Sequence, residues 1–221
     1  MTRVLLCLAD EALETALLQD GHRVRRLLLE TGALARLTGW AMRRSAAAFG
    51  ADAVLAAAAD TAAAEFAGQS GLPCLVPPVD AAFLLDAFLP APFRATPAVP
   101  VVAIAGASDP GAVNLPADGS FLVPSDIAVL VAGPAAMLAG WMAAGCAIVA
   151  PDTEAVRTYV AGDVTALLYP PDDTPARKAA VQRLLADDGL RNRLSASARA
   201  AFEARHEAAR AALRALFSAA G

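Results

Sequence analysis

SDIAVLVAGPAAMLAGWMAAGCAIVAPD, residues Ser125 to Asp152, is the stretch whose reading decides the fold. No charged side chain stands between Asp126 and Asp152, and about twenty apolar residues suffice for a membrane-spanning helix. The punctuation argues for something else. Residues 127–132 form a short β-branched run broken by Gly133-Pro134, and proline suits the first position of a helix. Residues 135–144 are strong helix formers, Gly145 stands where a helix C-terminal glycine belongs, and 146–150 are a second short apolar run. The pattern is strand, tight turn, buried helix, strand: a βαβ unit whose strands are covered on both faces and so do not alternate. A Gly-Pro in mid-span and flanks carrying only aspartate suit a bilayer poorly. The turn at Gly133 ends a strand and starts a helix, the place where open α/β sheets bind ligands.

The composition agrees with a folded α/β chain. Of 221 residues 57% are hydrophobic but only 5% aromatic, which predicts a shallow, helix-rich core. A net charge of -4 excludes nucleic acid as the main partner, because phosphate backbones need a basic face. Cys7, Cys74 and Cys146 are odd in number and each lies in an apolar run, so they read as reduced core thiols of a cytoplasmic protein. His22 and His206 are the only histidines and neither lies in a ligand-like cluster; no metal and no cofactor are expected. The start, MTRVLLCLADEALE, has too short an apolar region for a signal peptide. With only 18% charged residues, the chain is expected to hide part of its surface as a homodimer or with a protein partner.

Read in order, strands are expected at 3–8, 22–28, 52–57 and 72–76, with helices between them. Asp10 and Asp60 are expected to cap two of these helices, and Thr31 to start a long one holding Trp40 and Arg43-Arg44 that Gly50 ends. A short helix at 79–88 leads to LPAPFRATPAVP, residues 89–100, whose four prolines read as a linker. The second half restarts with a strand at 101–105 and a loop over 106–119. After the central unit come a helix from 154, a strand at 165–169, a helix at 175–186, and a last helix from about 190 that bends before Glu207. This rhythm predicts two small Rossmann-like domains with parallel sheets, 1–90 and 101–221. GASDPG at 106–111 resembles a dinucleotide turn only faintly, since Asn114-Leu115-Pro116 denies it the helix that must follow. Neither Ser108 nor Ser125 has a histidine nearby in sequence.

From Trp141 the string WMAAGCAIVAPDTEAVRTYVAGDVTALLYPPDD, with AVQRLLADDGLRNRLSASARAAFEARH beyond it, resembles the carboxy-terminal half of family 4 glycosyltransferases of the GT-B fold. Met142 to Gly145, Ala150-Pro151-Asp152, and Val164 to Asp173 fall in step with that family's helix end, strand end and V-T-G-L-L-V-P-P-G-D turn without a gap. VPPVD at 76–80 with Phe88-Leu89-Pro90 is a weaker likeness to the segment before the family's linker. The resemblance implies a nucleotide-diphosphate sugar bound in a cleft between the domains and a glycosyl transfer with retention. It puts nucleotide-sugar-binding positions at Gly106, Gly133, Pro134, Ala135, Ala136, Gly140, Asp152 and Glu154.

The departures are as informative. Two glutamates that the family carries, one near the donor sugar and one on the ribose hydroxyls, fall on Ala132 and Gly140. The family's pyrophosphate-neutralising Arg and Lys fall in 106–119, which holds no basic residue. What could survive is backbone: N–H groups of Gly133, Ala135 and Ala136 at a helix start favour phosphate without any side chain. Two expectations follow: a transferase with a reduced site and no assignable catalytic residue, or a degenerate homologue that serves as a non-catalytic partner.

Overall fold

Short apolar runs become parallel strands, because only strands covered on both faces can be apolar throughout. The structure is a computed structural model that describes residues 2–7, 11–26, 46–56, 61–76, 83, 100–107, 112–115 and 125–219. The chain divides into two units, Met1–Asp86 with His206–Gly221, and Ala87–Arg205. In the first, β1 (Arg3–Leu6), α1 (Glu11–Gln19), β2 (Arg23–Arg26), β3 (Ala53–Leu55), α2 (Thr61–Ser70) and β4 (Cys74–Leu75) build a parallel sheet of order β2-β1-β3-β4. Leu5, Val54, Ala63, Phe66 and Ala67 share its core.

The second unit holds β5 (Val102–Ala105), β6 (Val113–Leu115), β7 (Ile127–Leu130), α3 (Met137–Ala144), β8 (Ala147–Pro151), α4 (Glu154–Arg157), β9 (Ala166–Tyr169) and α5 (Thr174–Ala186). Its sheet runs β6-β5-β7-β8-β9, all pairs parallel. The central stretch folds as expected. Ile127, Ala128 and Val129 pair with Ala147, Ile148 and Val149, and every residue of β7 is buried. Among the described residues no helix is long and apolar enough to cross a membrane. Gly145 takes the left-handed conformation at φ 72. Its N–H reaches Met142 O at 3.0 Å while Cys146 N–H reaches Trp141 O at 3.0 Å, so the last carbonyls of α3 are satisfied as the chain turns into β8. Helical segments ending at Gly21, Gly50 and Gly71 close with the same bond pair. Two α/β units with parallel sheets are therefore present, as the rhythm of the sequence predicts.

Several expectations need correction. The loop over 106–119 contains β6, whose Val113 and Asn114 are exposed; an edge strand this short has no alternation to reveal it. The helix expected from Pro134 begins at Met137, and Pro134 to Ala136 form a preceding turn in which Met137 N–H bonds Pro134 O at 3.1 Å. The last helix, α6 (Asp188–Ala219), runs unbroken through Glu207. No Gly or Pro stands between Leu190 and Ala219, and alanine, arginine and leucine hold the helix without a kink. Asp10, Asp60, Thr31, Trp40, Arg43, Arg44 and Ser108 lie outside the described residues, as do the 79–88 helix except Phe83 and the 89–100 linker except Pro100.

One stripe of α6 is buried: Leu190, Leu194, Ala198 and Phe202 in the second unit, then Ala209, Leu213 and Phe217 in the first. Within each unit the buried positions recur every four residues, which sets each beside the next along the buried side of the helix. Arginines beside the stripe finish other helices. Arg191 donates to Leu184 O near the end of α5 at 2.9 Å, and Arg199 to Ala143 O of α3. Arg205 donates to Thr158 O at 2.6 Å and Tyr159 O at 3.1 Å, just past α4, and Arg210 pairs with Asp20 at 2.6 Å, just past α1. Cations at helix C-termini complement the exposed carbonyls there.

Candidate functional site

Strand order locates the site. In the second unit β5 leads to β6 on one side and the chain then crosses to β7 on the other, so the switch point lies between β5 and β7. Ligands of doubly wound sheets bind outside the carboxyl ends of the strands at such a point. Gly106 follows β5 and residues 131–136 follow β7, so two predicted groups of site residues meet here.

They meet at backbone distance. Val131 and Ala132 N–H both point to Ala105 O, at 2.9 and 3.3 Å, carrying the β5–β7 pairing past the strand ends. Gly106 has φ +81, and a Cβ there would stand 2.4 Å from Ala132 N and O. Only glycine fits. Beyond Ala132 the chain turns through Gly133 at φ 134. The amides of Gly133, Ala135 and Ala136 have no hydrogen-bond acceptor among the described residues, and Ala132, Gly133, Pro134 and Ala136 are exposed. The loop thus carries N–H groups without an acceptor among the described residues, just ahead of a buried helix. Gly140 is different: it sits in α3 with all its neighbours buried.

The next strand brings the acids. Asp152 follows β8, its N–H bonded to Tyr169 O at 2.7 Å. Its carboxylate is gripped by Arg157 through two bonds of 2.6 and 2.7 Å. That fork holds the carboxyl below the ordinary aspartate range, so Asp152 stays ionised and already engaged. Glu154 is exposed in the first turn of α4, which Thr153 caps by accepting Val156 N–H at 3.3 Å. Cys146, fully buried, donates to Ser125 O at 3.2 Å. Burial raises its pKa against the lowering effect of Ser125, which makes it an inert thiol. Among the described residues no cluster of His, Cys, Asp or Glu could hold a metal ion.

Two residues here escaped the sequence reading. Tyr169 at the end of β9 sends its hydroxyl to Leu130 O at 2.8 Å, tying the outer strand to the end of β7. Arg177 in α5 is only 7% exposed. Its spacing from Val181 and Leu184, four and seven residues on, was the available signal, since it sets an arginine on the apolar face of a helix.

No family model matches the chain, and no curated protein sequence matches it. Solved structures do. A glycosyltransferase from Rickettsia africae ESF-5 aligns with TM-score 0.59 and 10% identity, over 96% of this chain and 90% of that one. A sucrose-phosphate synthase from Thermosynechococcus elongatus aligns with TM-score 0.46 and 16% identity, over 98% of this chain and 73% of that one. With two Rossmann-like units of parallel strands, the chain has a glycosyltransferase-like α/β fold.

Proposed function

We propose that this chain is a GT-B-type glycosyltransferase homologue that binds the diphosphate of a nucleotide-diphosphate sugar at the β5–β7 switch point. The observation that carries the reading is the set of amides at Gly133, Ala135 and Ala136 that have no acceptor among the described residues, held at the carboxyl end of the sheet by the Gly106–Ala132 contact. Such amides bind phosphate oxygens without a side chain. The fold shared with the Rickettsia glycosyltransferase supports the choice of a sugar nucleotide over other diphosphates. Gly106, Pro134, Gly140, Asp152 and Glu154 belong to the proposed site, which needs no metal and no cofactor. The proposal carries with it the cytoplasmic homodimer or partner complex that the low charge content predicts.

A second reading concerns activity. Ala132 stands exposed at the mouth of the switch point with no carboxylate to offer, Asp152 is committed to Arg157, and Gly140 gives the ribose no acceptor. These features favour a binding homologue without efficient transfer over a retaining transferase. Titration calorimetry of the purified chain with UDP-, GDP- and ADP-sugars tests the first reading, and sugar release from the same donors tests the second. Micromolar to millimolar binding with no release is the expected result. No binding to any of the three refutes the nucleotide-sugar reading, and clear transfer or hydrolysis refutes the non-catalytic one.

A further inference from the structure

The first unit carries a cavity at the amino ends of its strands, away from the carboxyl ends where α/β sheets ordinarily bind ligands. Residues 46–49 are helical and α2 ends at Ser70; Gly50 and Gly71 then turn the chain toward β3 and β4. Those strands are neighbours, Val54 pairing with Cys74. Between the two helix ends lies a cavity of about 330 Å³, lined among the described residues by Ala46, Ala47, Gly50, Ala51, Ser70 and Leu72. Side chains this small leave the space open, and its volume suits a small ligand. The polarity of the wall is narrow. The N–H groups of Gly50, Ala51 and Leu72 already bond Ala47 O, Ala46 O and Ala67 O at 3.0, 3.2 and 2.9 Å. The charges beside it are engaged with backbone: Arg3 Nη1 donates to Gly50 O at 3.3 Å, and Asp52 Oδ2 accepts Arg3 N–H at 2.7 Å. Ser70 differs. A helical serine can bond a carbonyl three or four residues back, as Ser195 does to Asn192 O at 3.2 Å and Ser218 to Arg214 O at 3.0 Å. The Ser70 hydroxyl is buried and has no hydrogen-bond partner among the described residues.

We propose that this cavity binds a small neutral molecule, largely apolar, whose single hydroxyl pairs with Ser70 Oγ. Apolar walls penalise a charged ligand that would lie there unpaired. The unpartnered group on the wall is a hydroxyl, which both donates and accepts, and so matches another hydroxyl. Rotation about χ1 carries Oγ between staggered positions, and a ligand in the cavity selects the one that faces it. The site lies within the first unit and does not depend on the diphosphate reading.

Amide chemical-shift titrations of the full chain test this with phenol and with toluene, in which a methyl group replaces the hydroxyl. The proteins are wild type, Ser70→Ala and Ala47→Phe. Ala47 is an exposed residue of the cavity wall, so phenylalanine there fills the space from its open side. Wild type is expected to bind both probes with shifts centred on 46–51 and 70–72, and phenol about fivefold more tightly. Ser70→Ala should erase that preference by weakening phenol alone, and Ala47→Phe should abolish binding of both. No binding of either probe by wild type, or shifts centred elsewhere, overturns the site. A phenol preference that survives in Ser70→Ala overturns the role of the hydroxyl and the ligand class with it. If Ala47→Phe does not fold, Ala47→Leu takes its place, and unchanged affinity in whichever variant folds overturns the cavity as the location.

Discussion

Gly106 shows how much a single missing Cβ can control. Gly21 and Gly106 share the same left-handed φ of +81, yet a Cβ on Gly21 meets nothing within 4 Å, while on Gly106 it collides with the Ala132 backbone. A non-glycine residue at positive φ costs roughly 1–3 kcal/mol, and overpacking adds about as much again. Gly21→Ala is therefore expected to cost about 1 kcal/mol by urea unfolding, and Gly106→Ala at least about 2 kcal/mol more. Equal losses would mean that the β5 and β7 loops part without strain. Gly106→Ala should also weaken diphosphate binding in whatever fraction folds, because the collision falls on the residue before the amides of Gly133, Ala135 and Ala136.

At the scale of elements, charge placement along α6 does as much as its apolar stripe. Arg210 and Asp20 are both mostly buried, with side chains 14% and 12% exposed. Removing one partner of such a pair strands the other charge, at about 3 kcal/mol or more, whereas removing both is far cheaper. We expect Arg210→Met to lower the melting temperature sharply and Arg210→Met with Asp20→Asn to recover most of it. Additive losses in that cycle would show that the two side chains do not act as a pair. The elements themselves were largely legible in sequence. Apolar runs such as 127–130 and 147–150 cannot sit anywhere but between covered faces, and glycines such as Gly145 mark where helices stop. β6 was not legible, because Val-Asn-Leu on an edge carries no pattern. The continuity of α6 was also missed, since its polar-rich middle looked like a break until the buried Phe202 and Ala209 joined the stripe. In the site, the amide-bearing loop after Gly133 could be read from local order. The approach of Gly106 to Ala132 could not, because it depends on two segments meeting across a sheet. Arg177 was overlooked because an arginine reads as surface until its helix face is known.

At the scale of the whole molecule, one histidine of the chain stands in the last stretch of α6 and the other packs against it. His206 Nδ1 lies 2.8 Å from Phe83 O, and the His22 ring packs on Phe217 with centroids 4.5 Å apart. Burial lowers the His22 pKa below 6.5; the Asp20 charge opposes this and the amino terminus reinforces it. Asp20 is itself paired with Arg210, and both His22 Nδ1 and Asp20 Oδ2 are buried without a hydrogen-bond partner among the described residues. The sign follows from proton linkage. A histidine whose folded pKa is depressed leaves stability intact above its unfolded value near 6.5 and erodes it as pH falls through the folded value. Amide exchange of residues 206–219, corrected for its intrinsic pH dependence, should therefore accelerate between pH 7 and pH 5, and His22→Phe should flatten the response. An equally steep response in His22→Phe would assign the acid sensitivity to another group.

The composition of the first unit from both ends of the chain has a consequence for synthesis on the ribosome. Asp20 and Arg210 are 190 positions apart, so at roughly 5–20 residues per second the partner of Asp20 emerges on the order of 10–40 s later. Until then Leu13, Leu17 and His22 wait without the Leu213 and Phe217 segment that completes their unit. The second unit, encoded later, is able to close first. The first unit, whose residues are made first, is thus the last whose chain is complete.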